Sequence, residues 1–346
     1  EIASRYFKTG FIPLVIGAPF LNRFVVFGNL FARVGEDTFR LDRHPTMSKH
    51  PVTPMNESDL RRHLGLQTER KVQLMDLFAL EGEYGKVDEY FDQLTTTEGD
   101  FVLFDTLTRD HMMVVGELLL EKNIGDTQFL VGASGMNHAM AFCLQQRGLI
   151  TPPQIPKSIG AAQHMVVITG SCAPGTATQV GYMKQRGHEA FKIDTGALVN
   201  QESSGSEVEN CVSRALHAIE RGSTPVLYAA LGPDDPSIGE TEQAAARLNV
   251  RAGELIAERQ GQMAFEIANK VPHLRVGIAG GDTSGYVSRA LGIYALEAKC
   301  PIAPGAPLCV AHSRNPQFDG MEITLKGGQN GNEKFFEYVL RGQVHD

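Results

Sequence analysis

Glycines, hydroxyls and one carboxylate are concentrated in a single stretch of this chain. An apolar run leads into residues 276–285, whose sequence is Val-Gly-Ile-Ala-Gly-Gly-Asp-Thr-Ser-Gly. This order predicts a buried strand, a tight turn and the first turn of a helix. Because glycines let backbone N–H groups approach a ligand and a helix N-terminus favours negative charge, the pattern suits a phosphate group. The structural alternative is a strand-to-helix turn in which Asp282 or Thr283 caps the helix.

Two more glycine-rich turns follow predicted strands in the second half of the chain. One contains Gly170 and Ser171, and the other contains Gly327 and Gly328. Ligands of open α/β sheets bind outside the carboxyl ends of the strands, so all three turns are expected to line one crevice. We predict a nucleotide site there. Neither a Walker A sequence nor a G-x-G-x-x-G motif is present, which disfavours a P-loop ATPase and a standard dinucleotide dehydrogenase.

The chemistry that such turns serve is phosphoryl transfer. This reaction needs phosphates held by backbone donors, a divalent metal ion and an acceptor hydroxyl in line. Asp282 is the candidate for coordinating the metal, expected to be Mg²⁺, or for activating the acceptor. Asp234 and Asp235 are alternatives, although a proline-flanked pair of aspartates is also typical of a surface turn. Lys326 is a candidate for neutralising phosphate charge, or else a solvated lysine at the end of a strand.

Apolar strands and helical segments alternate around these turns, which is typical of an α/β fold with largely parallel sheets flanked by helices. A proline-rich stretch, Thr151–Lys157, disrupts both helix and strand and is the best linker candidate. It divides the chain into residues 1–155 and residues 156–346. In the first part, Asn22–Met55 is predicted to be a long structured loop with extended pieces. In the second, Thr241–Arg259 is predicted to be one long helix.

Composition narrows the classes of partner. The 346-residue chain has a formal net charge of −8, which argues against a broad nucleic-acid surface because such a surface needs clustered Lys and Arg. No apolar run approaches the ~18 residues that a membrane helix requires, so no membrane partner is predicted. The five cysteines are scattered without a C-x-x-C pair. That pattern predicts the reducing cytoplasm and argues against a zinc site.

Short segments along almost the whole chain follow, in their order, the pattern of a known family. In the first part they are Gly17-Ala18-Pro19, Arg23, Phe27-Gly28-Asn29-Leu30-Phe31, residues 41–55 and residues 131–135. In the second part they are Thr169-Gly170-Ser171-Cys172, Gly232-Pro233-Asp234-Asp235-Pro236, residues 279–285, Ala303-Pro304-Gly305-Ala306-Pro307 and Leu325-Lys326-Gly327-Gly328-Gln329. Taken together, these segments resemble the four-carbon acid sugar kinase family.

The resemblance implies a sugar-acid-binding domain over residues 1–155, a nucleotide-binding domain over residues 156–346, and an active site in the cleft between them. It also implies ATP-dependent phosphorylation of a terminal hydroxyl on a threonate-, erythronate- or oxo-tetronate-like acid. The family's ATP contacts would fall on the residues of the three turns, namely Ser171, Gly280, Gly281, Asp282, Thr283, Ser284 and Gly328. Arg23 would pair with the substrate carboxylate, which a guanidinium matches in shape, or else would form a structural ion pair.

Two features depart from the family's pattern. The family opens with a strand and an Asp-Asp motif that helps to bind the sugar acid, and neither is found in this chain. We therefore expect N-terminal material to be missing from it. Asn22 also precedes Arg23 where the family usually has glycine.

Two other functions fit the same residues. One is a sugar-acid-binding protein that is regulated by nucleotide and has lost transfer activity. The other is an α/β oxidoreductase with a dinucleotide on the glycine turns, in which Asp194 would be the acidic residue that binds the ribose. A homodimer is a further expectation, because the predicted loop over residues 22–55 could form an interface.

Overall fold

The structure, a computed structural model, describes residues 2, 3, 6, 10–45, 47–49, 53–95, 100–122 and 129–343. The chain divides into two compact units, residues 1–153 and residues 154–346. The division point lies inside the proline-rich stretch Thr151–Lys157. Each unit contains a parallel or largely parallel sheet flanked by helices, which confirms the predicted α/β fold class. None of the helices in the described ranges is long and apolar enough to cross a membrane.

The first unit is built on a parallel sheet with the strand order β5-β6-β1-β7 in its described residues. Its strands are β1 (Ile12–Val15), β2 (Arg23–Val26), β3 (Asn29–Val34), β4 (Asp37–Arg40), β5 (Val72–Met75), β6 (Phe101–Phe104) and β7 (Val131–Gly132). Its helices are α1 (Leu60–Gly65), α2 (Leu77–Leu80), α3 (Tyr84–Leu94), α4 (Arg109–Glu121) and α5 (Ser134–Gln146). Strands β2, β3 and β4 form a separate antiparallel sheet.

Alternate residues of the central strand β6 explain how this unit is layered. Val102 and Phe104 belong to a core cluster that includes side chains of α3 and α4. Phe101 and Leu103 belong to another cluster, which includes Val25 and other side chains of the antiparallel sheet. Successive side chains of a strand point to opposite faces, so the parallel sheet is covered by helices on one face and by a second sheet on the other.

The prediction of a long structured loop with extended pieces over Asn22–Met55 understated the regular structure, because β2, β3 and β4 form a paired sheet there; residues 46 and 50–52 of this range lie outside the described residues. A two-residue turn joins β2 to β3, with Phe27 at φ 48° and Gly28 at φ 76°. Positive φ at both positions is typical of a tight hairpin, but Phe-Gly is not one of its usual sequence signals. The buried carboxylate of Asp105 holds the turn, accepting the N–H groups of Phe27 (2.6 Å) and Gly28 (2.9 Å). A residue 77 positions away therefore stabilises the hairpin.

The second unit contains a seven-stranded sheet with the order β12-β13-β14-β11-β8-β10-β9 in its described residues. Its strands are β8 (His164–Thr169), β9 (Ala190–Lys192), β10 (Val226–Tyr228), β11 (Leu274–Ala279), β12 (Ile293–Ala303), β13 (Ala306–Ser313) and β14 (Glu322–Lys326). Its helices are α6 (Pro174–Gln185), α7 (Thr195–Val199), α8 (Ser204–Glu220), α9 (Pro236–Arg247), α10 (Ala252–Lys270), α11 (Gly281–Ala290) and α12 (Phe335–Arg341).

Both faces of this sheet are covered, as the continuous apolar runs of its central strands require. On β8, Val166 and Ile168 belong to a core cluster with side chains of α8, α10 and α11. Their neighbours Met165 and Val167 belong to a cluster with side chains of α6 and α12. Strands β14, β11, β8, β10 and β9 are parallel, so their carboxyl ends lie at one edge of the sheet.

The prediction of one helix over Thr241–Arg259 was also wrong, because α9 ends at Arg247 and α10 begins at Ala252. Asn249 ends α9 in the left-handed conformation, at φ 54°. The next N–H, from Val250, donates to the carbonyl of Ala245 (3.0 Å), which is a common way to close a helix. Asparagine is the usual substitute for glycine at this position, so the break had a sequence signal that helical periodicity obscured.

Candidate functional site

The three predicted turns lie at the carboxyl ends of three adjacent strands, β14, β11 and β8. Hydrogen bonds continue from the strands into the turns: the Gly170 N–H donates to Ala279 (3.1 Å), and the Gly280 N–H donates to the Lys326 carbonyl (3.0 Å). The ends of the strands are level, because Ala279 pairs in register with both Thr169 and Lys326. The sheet therefore brings the first turn beside two turns that lie more than a hundred residues further along the chain.

The turns also contact one another directly. A methyl group added at Gly328 would lie 2.3 Å from the Ser171 hydroxyl, and one added at Gly170 would lie 2.4 Å from the Thr283 hydroxyl. Gly280, at φ 119°, would place a methyl group 3.3 Å from the Ser171 nitrogen. A side chain at Gly170 or Gly328 would overlap a hydroxyl of the neighbouring turn, and the positive φ of Gly280 disfavours a side chain there. Of the predicted ATP residues, Ser171, Gly280, Thr283 and Gly328 thus lie close together, with Thr283 buried beneath the turns.

The other predicted ATP residues lie in the first turn of α11. Gly280 occupies the N-cap position, and no side chain caps this helix in the described part of the unit. The structural alternative, a helix capped by Asp282 or Thr283, is therefore not what forms. Gly281 and Asp282 are exposed, whereas the Ser284 hydroxyl donates to the Gly280 carbonyl (2.7 Å). The helix begins with uncapped N–H groups beside an exposed carboxylate.

Helix α6 begins at the same edge and also has no side-chain cap at its N-cap, Ala173. Pro174 occupies its first turn, where the missing N–H costs no hydrogen bond. The N-termini of α6 and α11 therefore both bring partial positive charge to the three turns. Together with the glycine backbones, this electrostatic arrangement suits an anionic ligand.

Sequence reasoning missed Gln260, a buried glutamine of α10 that holds two of the turns together. Its Nε2 donates to the Thr169 carbonyl (3.1 Å), and its Oε1 accepts from the Thr283 hydroxyl (2.9 Å). Thr283 is itself buried, so its hydroxyl serves to hold the turn in place. A single glutamine in an amphipathic helix carries no sequence signal for this contact.

Lys326 is not the solvated lysine of one sequence interpretation, because only 2% of it is exposed. Its Nζ donates to the Thr176 hydroxyl (3.1 Å) and to the carbonyls of Gly327 (2.9 Å) and Gly328 (3.2 Å). Burial lowers the pKa of its ammonium group to about 7. The contacts of Nζ are thus with protein oxygens of the third turn and of α6.

The alternative carboxylates have structural partners. Asp235 caps α9 through the Ser237 N–H (3.1 Å) and pairs with Lys192 (2.7 Å). Burial alone would raise the pKa of Asp235, but the hydrogen bonds from Lys192 and nearby backbone groups hold it well below its usual range. Asp194 caps α7 through the Ala197 N–H (2.9 Å), and Asp234 is exposed. In the described ranges, no three acidic, histidine or cysteine side chains are grouped to hold a metal ion by themselves.

In the first unit, Arg23 begins β2 and is half-buried. Its guanidinium donates to the Asn22 carbonyl (3.2 Å), and burial lowers its pKa. Among the described residues, no carboxylate lies within ion-pair distance of it, so the predicted structural ion pair does not form there. Asn22 has φ 57°. Asparagine tolerates that left-handed conformation better than most residues, which explains how it replaces the family's usual glycine.

Neighbouring glycines of the second turn should respond oppositely to alanine. Gly280→Ala should destabilise the protein by about 1–3 kcal/mol, because φ 119° disfavours any side chain. Gly281→Ala should be neutral or stabilising by up to ~1 kcal/mol, because this helical position has open space around it. Chemical denaturation of both variants would measure the difference. Equal stabilities would contradict the strained turn.

Glycine turns at the carboxyl edge of a parallel sheet are typical of nucleotide-binding α/β domains. Residues 166–336 match the model of a nucleotide-binding C-terminal domain, and residues 1–140 match the model of a sugar-binding N-terminal domain. The chain belongs to the four-carbon acid sugar kinase family, as the sequence resemblance predicted.

Two curated relatives carry kinase names. The chain is 37% identical to the 3-oxo-isoapionate kinase of Paraburkholderia graminis, over 99% of this chain and 73% of that protein. It is 29% identical to the 3-oxo-tetronate kinase of Cupriavidus necator, over 85% of this chain and 64% of that protein. The chain therefore spans about two thirds to three quarters of the length of these relatives.

Solved structures share the fold. A Salmonella typhimurium LT2 protein matches with a TM-score of 0.74 and 22% identity, over 99% of this chain and 75% of that one. A Haemophilus influenzae protein matches with a TM-score of 0.60 and 23% identity, over 95% of this chain and 73% of that one. At these identities the likeness establishes the fold.

Proposed function

We propose that this protein is an ATP-dependent kinase that phosphorylates a terminal hydroxyl of a four-carbon sugar acid. The observation that carries the proposal is the meeting of three glycine turns at one edge of the second sheet, beside two helix N-termini. The kinase names of the two relatives support the reaction, and their 3-oxo acids favour an oxo-tetronate-type substrate over threonate or erythronate.

The proposed ATP contacts divide by chemistry. The backbone N–H groups of Gly281 and Asp282, in the exposed first turn of α11, would donate to phosphate oxygens. The Gly280 N–H already donates to the Lys326 carbonyl, so Gly280 would contribute its lack of a side chain. The Ser171 hydroxyl would add a donor from the neighbouring turn, and Gly328 would allow the ligand to approach the backbone without a side chain in the way. These assignments rest on the geometry of the turns and on the family resemblance.

A Mg²⁺ ion would fit the exposed carboxylate of Asp282. Mg²⁺ is usually held by one or two carboxylates together with phosphate oxygens and water, so it needs no complete protein cage. Asp282 is exposed beside the proposed phosphate site, and it is the residue that we propose to hold the ion. The ion would neutralise negative charge on the phosphates.

In the first unit, Arg23 is the proposed contact of the substrate carboxylate. Its guanidinium is half-buried without a carboxylate partner in the described ranges, which leaves it able to take one from a ligand. Arg23→Met should therefore raise the KM for the sugar acid by at least about tenfold while leaving ADP binding unchanged. Arg33→Met, on the neighbouring strand β3, is the control. Steady-state kinetics and calorimetry would measure the two effects.

One experiment separates the proposal from its two rivals. Thermal shift would be measured with ATP and MgCl₂, with ADP and with NAD, followed by ADP release across a panel of four-carbon sugar acids. We expect stabilisation by ATP and ADP, and turnover with at least one acid. Stabilisation by NAD alone would support the oxidoreductase, although Asp194 already caps a helix. ATP binding without turnover would support the regulated binding protein.

We also propose the cytoplasm as the compartment, because ATP is available there and the described residues contain no disulfide bond. The proposed homodimer would use the region of residues 22–55, which includes the sheet β2-β3-β4. Sedimentation of the protein at several concentrations would test the association.

A further inference from the structure

The loop that follows β14 turns its carbonyl groups toward the protein interior. The Nζ of Lys326 donates to the first two of these carbonyls, those of Gly327 and Gly328. The Thr176 hydroxyl, on α6, also donates to the Gly328 carbonyl (2.9 Å). The first part of this loop is therefore held by its oxygens against buried donors.

A second buried donor holds the rest of the loop in the same way. Gln179 lies on α6 three residues after Thr176, and its side chain is completely buried. Its Nε2 lies 3.0 Å from the Asn330 carbonyl, 3.2 Å from that of Gly331 and 3.0 Å from that of Asn332. One neutral side chain thus orients three consecutive carbonyls toward α6.

The direction of the carbonyls fixes the direction of the amides. In a trans peptide the C=O of one residue and the N–H of the next point in opposite directions, and the described residues contain no cis peptide bond. The N–H groups of Gly328, Gly331, Asn332 and Glu333 are consequently directed away from the buried donors. The Asn330 N–H donates to the Gly327 carbonyl (3.1 Å) and is not part of this set. Consecutive N–H groups on one side of a loop, such as those of Gly331, Asn332 and Glu333, form a concavity that binds anions.

We propose that residues 327–333 form an anion-binding amide nest for the terminal phosphates of the nucleotide, and that Lys326 and Gln179 are positioning residues that hold it. This inference rests on the proposed function. Gly328 contacts the Ser171 turn, so the nest adjoins the surface assigned to the phosphates. It extends that surface beyond Gly328 to backbone groups of the following turn.

Burial distinguishes this role from direct contact with phosphate. Lys326 is 2% exposed and Gln179 is 0% exposed, and their nitrogens donate to protein oxygens. Gln179 also carries no charge. A direct ion pair with phosphate would involve Lys326 alone, whereas the nest requires both side chains.

The test compares Lys326→Met, Gln179→Met and the control Lys270→Met, in which an exposed lysine at the end of α10 is removed. Calorimetry would measure the Kd of ADP and of AMP for each protein, and amide hydrogen exchange would follow residues 327–334. We expect Lys326→Met and Gln179→Met each to weaken ADP binding by about tenfold or more. AMP binding should change by less than about threefold, because AMP lacks the terminal phosphate that the nest would hold.

In both variants the protection that ADP gives to the amides of residues 327–334 should also fall, while Lys270→Met behaves as wild type. An unchanged Kd for ADP in Gln179→Met would overturn the nest, as would equal losses for ADP and AMP. If one variant does not fold, the other variant tests the nest in the same way.

A wild-type protein that binds ADP but phosphorylates no sugar acid overturns the proposed function and does not affect the proposed nest. A wild-type protein that does not bind ADP overturns both.

Discussion

Asp282→Asn should lower kcat by roughly 10²–10³ while changing the Kd of ADP by less than about threefold. Asparagine keeps the shape of the side chain and removes its charge. Asp282 is exposed at the start of α11, where the proposed phosphate site and metal ion would meet. The loss should therefore fall on the reaction, in which phosphate charge must be stabilised, more than on binding of the product nucleotide.

The matched control for this prediction is Asp234→Asn. Asp234 is likewise an exposed aspartate of the second unit, and it was an alternative candidate for the metal. Its replacement should leave kcat unchanged within about twofold. Steady-state kinetics with saturating sugar acid and calorimetry with ADP would measure both variants. Equal turnover by Asp282→Asn and wild type would remove Asp282 from the mechanism.

The second large effect concerns the stability of the protein as a function of pH. Burial lowers the pKa of Lys326 to about 7, whereas an ordinary lysine in the unfolded chain titrates near 10.4. Between these values the unfolded state binds one proton more than the folded state, so the free energy of unfolding rises with pH. Lys326→Met removes this dependence. The stability of wild type relative to Lys326→Met should therefore increase by about 1.4 kcal/mol per pH unit above pH 7.

The surroundings of Lys326 are consistent with a lowered pKa and hence with stability that rises with pH. The groups to which its nitrogen donates are neutral oxygens, and the ring of Phe335 has its centroid 5.7 Å from Nζ. Urea denaturation at pH 7.5, 8.5 and 9.5 would measure the trend for wild type, Lys326→Met and the charge control Lys270→Met. If the free energy of unfolding depends on pH in the same way for wild type and Lys326→Met, the lysine keeps its proton over this range.

Much of the candidate site could be predicted from short-range sequence alone. A glycine turn directly after an apolar strand is a local pattern, and each of the three turns formed where that pattern lies. The shared edge also followed, because the carboxyl ends of parallel strands must lie on the same side of a sheet. The roles of Ser171, Asp282 and Gly328 in binding and catalysis stay predictions, since geometry places them together without a ligand.

Other parts of the structure had no adequate local signal. The hairpin of β2 and β3 depends on Asp105, and the connection between Thr169 and Thr283 depends on Gln260. Both contacts join segments that are far apart in sequence. Helical periodicity likewise suggested one helix across Thr241–Arg259, although Asn249 ends the first of two. Medium-length apolar patterns do not show where a chain changes direction.

The sequence by itself determined the α/β class, the family and the three glycine turns of the second unit. These depend on local composition and on the order of short motifs, both of which can be observed in one dimension. Only the tertiary structure decided how the turns are held and which donors remain for a ligand. It directed Lys326 and Gln179 toward carbonyls, and it left Asp282 exposed while Asp235 was paired. Burial and hydrogen-bond partners arise from packing between distant segments, which is why spacing along the chain could not reveal them.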